Sequence, residues 1–233
     1  MTDHLLPTRR ERVRDATRTE IKALARQQMA QTGTASVALN GIARALGMVP
    51  SALYRYYPDR DALLTALILD AFASLAETLR AADRGASYDA RLLAAAHAYR
   101  RWSLANIVDF QLVFGSPIPD YHAPLEQTGP AMHEVFRVFL AIIDASHTAG
   151  VLRPVAAFQP TSIAMHPANY YASTYPPAVF YTGLVGWATM HGVVALEVFG
   201  HMRYTLADPD AFYEGQMVAY LTTIGLRGSA ITQ

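Results

Sequence analysis

The sequence predicts an all-α protein, and three observations carry that prediction. Apolar residues recur at helical three- and four-residue spacing in every long stretch. No Asn-Gly hairpin signal separates alternating strands, and glycines and prolines punctuate the chain at helix-length intervals. The 233 residues are 52% hydrophobic, enough for one large or two modest domains with a sizeable core.

The first helix is expected from about Asp15 to Gln31, with Ile21, Leu24, Ala25 and Met29 on one face and Gly33 as its stop. A second, Leu39 to Leu46, places Leu39, Ile42, Ala43 and Leu46 at i, i+3, i+4 and i+7 and ends at Gly47. Pro50 suits the first turn of a third, very short helix ending before Pro58, because proline lacks the N–H left unbonded there. Asp59 caps a fourth helix with Leu64, Leu67, Ile68, Ala71, Leu75 and Leu79 on its apolar face. With no proline before residue 117 it can extend about 35 Å.

Ser87 opens the next helix, to about Ala105, and a shorter one reaches Phe114. The Pro-rich stretch GSPIPDYHAPLEQTGP reads as a loop, and helix resumes from Ala131 to Ala149 before Gly150. From Pro154 to Leu196 there is no Asp, Glu, Lys or Arg. Five prolines break its first half, whereas Ala178 to about His201 suits a helix. Asp208 and Pro209 start the last helix, with Tyr213, Met217, Tyr220, Leu221 and Ile224 on one face.

Charge is balanced overall but divided along the chain. Residues 1–60 carry ten Lys/Arg against five acids, and the remainder nine against fourteen. A basic head on an acidic body suits a polyanion met by the head alone. There are no cysteines, which excludes disulfides and thiolate chemistry and fits a reducing cytoplasm. The first residues, MTDHLLPTRRERVRD, are charged where a signal peptide needs an apolar run.

The second and third helices, joined through Gly47-Met48-Val49, have the pattern of a helix-turn-helix. Ala43 is small where the helices cross, Gly47 can take a positive φ, and Ile42, Met48 and Leu53 can form the core between them. The short third helix then enters a major groove, with Ser51, Ala52 and Arg55 near base edges. Tyr54, Tyr56 and Arg60 are left to hold phosphates, and Arg14, Asn40 and Arg44 complete the expected DNA-binding set. An arginine-rich arm before the first helix is expected to reach a minor groove.

The stretch IARALGMVPSALYRYYPDRDALL resembles the DNA-binding domain of the tetracycline-repressor (TetR) family of bacterial transcription regulators, over residues 14–70. Ile42-Ala43, Gly47, Leu53 to Tyr57 and Asp59 to Leu63 match that family's pattern. GWATMHGVVALEVFGH resembles the Trp-x-x-x-His-Gly signature of one of its C-terminal domain types, and YRRWSLANIVDFQLVFGSP is a weaker cue to the same type. Val49 departs from the pattern where a Ser or Thr often caps the reading helix, as do Ala38 and Gly41 at the start of the second helix. Each lost cap typically costs about 1 kcal/mol. The resemblance implies residues 1–60 as the DNA-binding domain and 61–233 as a helical ligand-binding and dimerisation domain. It also implies a cytoplasmic repressor that binds a palindromic operator as a homodimer through its last two helices and is released by a small-molecule effector.

Trp102, Asn106, Phe110, Phe114, Tyr170, Tyr171, Tyr175, Tyr181, Trp187 and His191 are the groups expected to line an effector cavity. The nearly uncharged lining predicts an apolar or aromatic effector, unless Arg100, Arg101 or Arg153 points inward. Residues 178–196 are uncharged, but Thr182, Thr189, His191 and three glycines suit a helix buried in protein rather than a membrane span. Gly183 and Gly186 are expected to permit close helix approach, at the partner subunit if they face it. The eight histidines show no metal-ligand spacing, and neither a Gly-x-Ser-x-Gly nor a Gly-rich phosphate loop occurs. No cofactor, metal or catalytic residue is predicted. The alternative is a helical enzyme or small-molecule-binding protein whose helix-turn-helix does not serve DNA.

Overall fold

The computed structural model describes residues 8–153, 171 and 174–226. The regular structure among them is helical. It comprises α1 (Arg9–Thr32), α2 (Leu39–Ala45), α3 (Pro50–Leu53), α4 (Arg60–Ala82), α5 (Tyr88–Ala105), α6 (Ile107–Phe114), α7 (Leu125–Thr148), α8 (Pro177–Val198) and α9 (Pro209–Thr223), with a 3₁₀ turn at Thr34–Ser36. Tyr170 lies outside the described residues. The chain divides into two compact units, residues 1–71 with 108–128 and residues 72–107 with 129–233.

In the first unit α1 buries Ile21, Ala25 and Met29, α2 buries Leu39, Ile42 and Ala43, and Leu53 of α3 is fully enclosed. Fully burying a side chain such as Ile42 or Leu53 contributes about 1.5–3 kcal/mol, so a four-residue α3 is held by tertiary packing rather than by its own hydrogen bonds. Asp59 caps α4 through a bond from the Ala62 N–H at 2.8 Å. Helix α6 belongs to this unit. The Arg26 guanidinium donates to Asp109 at 2.8 Å, and Lys22 pairs with Asp70 at 2.5 Å. Thr65 and Tyr121 share a buried hydroxyl–hydroxyl bond of 3.0 Å.

In the second unit α5 packs on α8 and α9, and α8 packs on α9. Tyr99 and Tyr213 are its largest enclosed side chains, and Tyr213 donates its hydroxyl to the Ala96 carbonyl at 2.7 Å. Arg100 reaches from α5 to both neighbouring helices, donating to Glu197 at 2.6 and 2.7 Å and to Asp210 at 2.5 Å.

Three boundaries differ from the sequence expectation. Helix α1 begins at Arg9 because Thr8 and Glu11 form a reciprocal capping box, so Arg9, Arg10, Arg12 and Arg14 are helical and not an arm before the helix. Helix α7 begins at Leu125 and takes in Pro130, which had marked a loop. Pro130 has no N–H to donate to the preceding turn, and Thr128 bonds back to the Pro124 carbonyl. Helix α8 ends at Val198, where Gly200 at φ +77° closes it.

Gly183 and Gly186 of α8 point inward, against the possibility that they face a partner, whereas Gly192 has open space beside it. A Cβ at Gly183 would lie 2.5 Å from a Leu140 methyl, and one at Gly186 would lie 2.5 Å from the Tyr220 ring. Gly183 and Gly186 let α8 approach α7 and α9 within the subunit. Helices α4 and α8 are both long and apolar enough to cross a membrane by composition, and only 33% of the α8 window is buried.

Candidate nucleic-acid interface

Gly47 adopts φ +64°, a conformation costly for any residue with a Cβ. Its N–H bonds the Arg44 carbonyl at 3.1 Å, and the Met48 N–H bonds the Ala43 carbonyl at 2.9 Å. This pairing closes α2 and turns the chain sharply. Helix α3 then packs on α2, whose Ile42 and Ala43 are buried, and Met48 between the two helices is half-buried. Neither Ala38 nor Val49 makes a side-chain cap bond. At α2 the Ala38 N–H is instead met by the Gln28 side chain at 3.1 Å, and Gly41 leaves room for that same amide.

Packing the apolar face inward leaves Asn40, Arg44, Ser51, Tyr54 and Arg55 exposed, with Ala52 and Tyr56 half-buried. Tyr57 is buried, and desolvation pushes its phenol up from its ordinary value. Arg60 is committed locally, donating to the Ala35 carbonyl at 2.9 Å, and so braces the 3₁₀ turn against the start of α4.

A groove of about 780 Å³ opens between the first turns of α1 and the end of the reading helix, lined by Arg9, Arg10, Arg14, Arg55 and Tyr56 with Glu11 and Val13. Cations at a helix N-terminus are repelled by the backbone dipole. Glu11 alone opposes them in the first turn, and its carboxyl is held below the usual range by hydrogen bonds from Thr8. Four cations around one groove at the positive end of a helix suit a polyanion from outside the chain. Arg9 and Arg10 belong to the arm expected to reach DNA but were not singled out as contacts, and their place in the first turn of α1 was missed although Thr8-x-x-Glu11 is a recognisable capping signature.

Residues 21–67 match the model of bacterial regulatory proteins of the tetR family, and residues 92–220 match a tetracyclin repressor-like C-terminal domain. The chain belongs to the tetR family. An HTH-type transcriptional regulator of Mycobacterium tuberculosis is 35% identical over 215 residues, covering 89% of this chain and 92% of its own length. A regulatory protein designated SCO4313 has a solved structure that superposes with a TM-score of 0.76 at 32% identity, across 92% of this chain and 100% of its own. A tetR-family regulatory protein from Rhodococcus RHA1 shares the fold with a TM-score of 0.64 at 21% identity, over 89% of this chain and 96% of its own. This tetR-family chain is a transcription regulator and not an enzyme.

The second unit of this tetR-family chain holds an aromatic cluster. Tyr99 and His191 Nδ1 are hydrogen-bonded at 2.7 Å, and Trp187 stacks on His191 with ring centres 5.3 Å apart. Phe136 meets Trp187 edge-on at 5.6 Å, and Tyr171 stacks on Phe180 at 5.7 Å. Tyr175 and Tyr181 flank them, 6.5 Å from Tyr171 and 6.0 Å from Phe180. Five of the expected effector residues, Tyr171, Tyr175, Tyr181, Trp187 and His191, are therefore together.

The other four lie elsewhere. Trp102 donates its indole N–H to Ser74 at 3.0 Å, and Asn106 closes α5 through the Trp102 carbonyl at 2.9 Å. Phe110 and Phe114 pack on each other at 5.3 Å within the first unit. Tyr99, Phe136 and Phe180 join the cluster although sequence reasoning did not select them. Tyr99 sits one turn before Trp102, a spacing that could have drawn attention to it. An apolar pocket of about 30 Å³ beside Trp187, Phe139 and Met190 is too small for an effector as it stands. Arg100 is held by its carboxylates, and Arg101 and Arg153 are exposed.

Burial lowers the pKa of His191 below its ordinary 6.5 and raises that of Tyr99, so a neutral hydroxyl and a neutral imidazole share this bond. The unfolded chain binds the His191 proton more readily than the folded one. This contribution to stability is present above about pH 6.5 and is lost as pH falls below it. Urea unfolding is expected to show lower stability at about pH 5.5 than at about pH 7.5, with a smaller difference in His191→Gln. An equal difference in the variant would assign the effect to other groups.

Proposed function

We propose that the chain is a cytoplasmic, ligand-responsive repressor that binds a palindromic operator as a homodimer and leaves it when a small apolar or aromatic effector binds. The observation that carries this reading is the exposed α3 beside the arginine groove, a reading helix flanked by cations. Residues 1–60 form the DNA-binding domain and 61–233 the effector-binding and dimerisation domain. Ser51, Ala52 and Arg55 face bases. Arg14, Asn40, Arg44, Tyr54 and Tyr56 hold the backbone, joined by Arg9 and Arg10, and Arg60 contributes by fixing the start of α4.

The dimer forms through α8 and α9. Leu184, Ala188, Leu196 and Phe199 make an exposed apolar stripe on α8, and Ala211, Gly215 and Ala219 an exposed row of small residues on α9. A second subunit covers these faces and leaves no uncharged helix for a membrane to take. The effector site is built around Tyr171, Tyr175, Tyr181, Trp187 and His191, while Trp102 and Asn106 serve α5 and Phe110 and Phe114 pack within the first unit. With Arg100 engaged by carboxylates, an uncharged effector fits better than an anion.

Selection of bound fragments from random duplex DNA tests the reading, because it returns sequence and symmetry together. A near-palindrome with half-sites about one helical turn apart is expected. On that operator Tyr54→Phe should weaken binding to all sequences alike, whereas Arg55→Ala should also relax specificity at one or two positions. Recovery of no enriched sequence, or binding by a monomer to an asymmetric site, would count against the proposal.

A further inference from the structure

Val49 is the N-cap of α3, and the residue is 65% exposed. In a helix-turn-helix the first residues of the reading helix meet base edges, and the inference rests on the DNA-binding reading above. An isopropyl group at this position makes no cap bond and cannot donate or accept one from a phosphate. It adds nothing to the core, since Ile42 and Leu53 are fully buried while Val49 stands in solvent. Pro50, its neighbour, is exposed and equally without a donor, and Ala52 one turn on is half-buried. The entrance of the reading helix is therefore an apolar surface with one hydroxyl, that of Ser51.

The floor of the major groove offers hydrogen-bonding groups at every base pair and a single apolar group, the C5-methyl of thymine. Ser51 can bond to more than one base edge and discriminates weakly on its own. A methyl group matched to Val49 removes apolar surface of both partners from water, whereas cytosine or a purine edge would be desolvated against it without a partner. We propose that Val49 is a specificity-determining residue that selects thymine at one position of each half-site through its methyl group.

The test is to replace each operator thymine in turn with deoxyuridine, which removes the methyl and leaves every hydrogen-bonding group. With the unmodified protein, affinity should fall about four-fold per half-site at one position, the equivalent of one methyl transferred from water. Val49→Ala should bind the thymine and uracil forms of that position equally and keep its response elsewhere, including any due to Ala52. Val49→Thr, which retains one methyl, should keep part of the response. Insensitivity of the unmodified protein to every uracil substitution overturns the assignment, as does a Val49→Ala variant that keeps the whole pattern. A chain that binds no selected duplex defeats the DNA-binding reading itself, and that failure is visible before any uracil is introduced.

Discussion

Arg100→Ala should lower the stability of the second unit by roughly 3 kcal/mol, the cost of leaving a buried carboxylate without its cation. The side chains of Arg100 and Glu197 are 12% and 16% exposed, and two near-parallel N–H donors of one guanidinium meet the two oxygens of Glu197. That geometry holds the guanidinium above its ordinary pKa, chiefly through the Glu197 bond. Asp210 is 84% exposed on its side chain and adds little, because water screens it. The Tyr213 ring, 5.2 Å from the guanidinium carbon, is a second partner the alanine abandons. Because Arg100 reaches from α5 to Glu197 on α8 and Asp210 on α9, its loss loosens all three helices together. In a domain of this size the thermal midpoint should drop by roughly 6–12 °C. The double variant Arg100→Met with Glu197→Leu should recover most of the loss, since an apolar pair removes the stranded charge. Thermal unfolding that gave the double variant the same deficit as Arg100→Ala would mean that the lost guanidinium contacts, and not a stranded carboxylate, set the cost.

Much of the first unit was legible because its signals are local. Gly47 at a positive φ, Pro50 in a first turn and Asp59 as a cap each act within four residues of themselves, so residue type and spacing suffice. The start of α1 was equally local in Thr8 and Glu11, but the apolar face begins only at Ile21 and periodicity is silent over the arginine-rich turns before it. Pro130 misled because its local cost is outweighed by the packing of α7, which buries Val135, Phe139, Leu140, Ile142 and Ile143. The effector-side residues were half legible for a different reason. An aromatic side chain reads as apolar wherever it sits, and only the tertiary arrangement sends Phe110 and Phe114 to the first unit while bringing Tyr99 and Phe136 to His191 and Trp187. The inward aim of Gly183 and Gly186 likewise depends on which neighbour lies over them, Leu140 or Tyr220, and no spacing along α8 contains that information.

The largest functional effect is expected from the arginine groove. Replacing Arg9, Arg10 and Arg14 together with glutamine should weaken operator binding by about a hundredfold per subunit at 0.15 M salt, because each phosphate contact contributes about 0.9 to the logarithmic salt slope. The slope itself should become shallower by about three per subunit. Glutamine is a good helix former and relieves the repulsion between three cations and the positive end of α1, so the folded protein should be no less stable. Loss of binding without loss of stability is the signature of a surface used for a partner and not for the fold. Specificity should survive, since phosphate contacts fix register and carry no sequence information. Binding to unrelated duplex should therefore weaken by a similar factor, leaving the ratio of operator to nonspecific affinity nearly constant. The measurement is a salt titration of operator affinity for both proteins, with thermal unfolding in parallel. An unchanged slope would place these arginines off the DNA, and a preserved slope with relaxed sequence preference would make them base readers in a groove of their own.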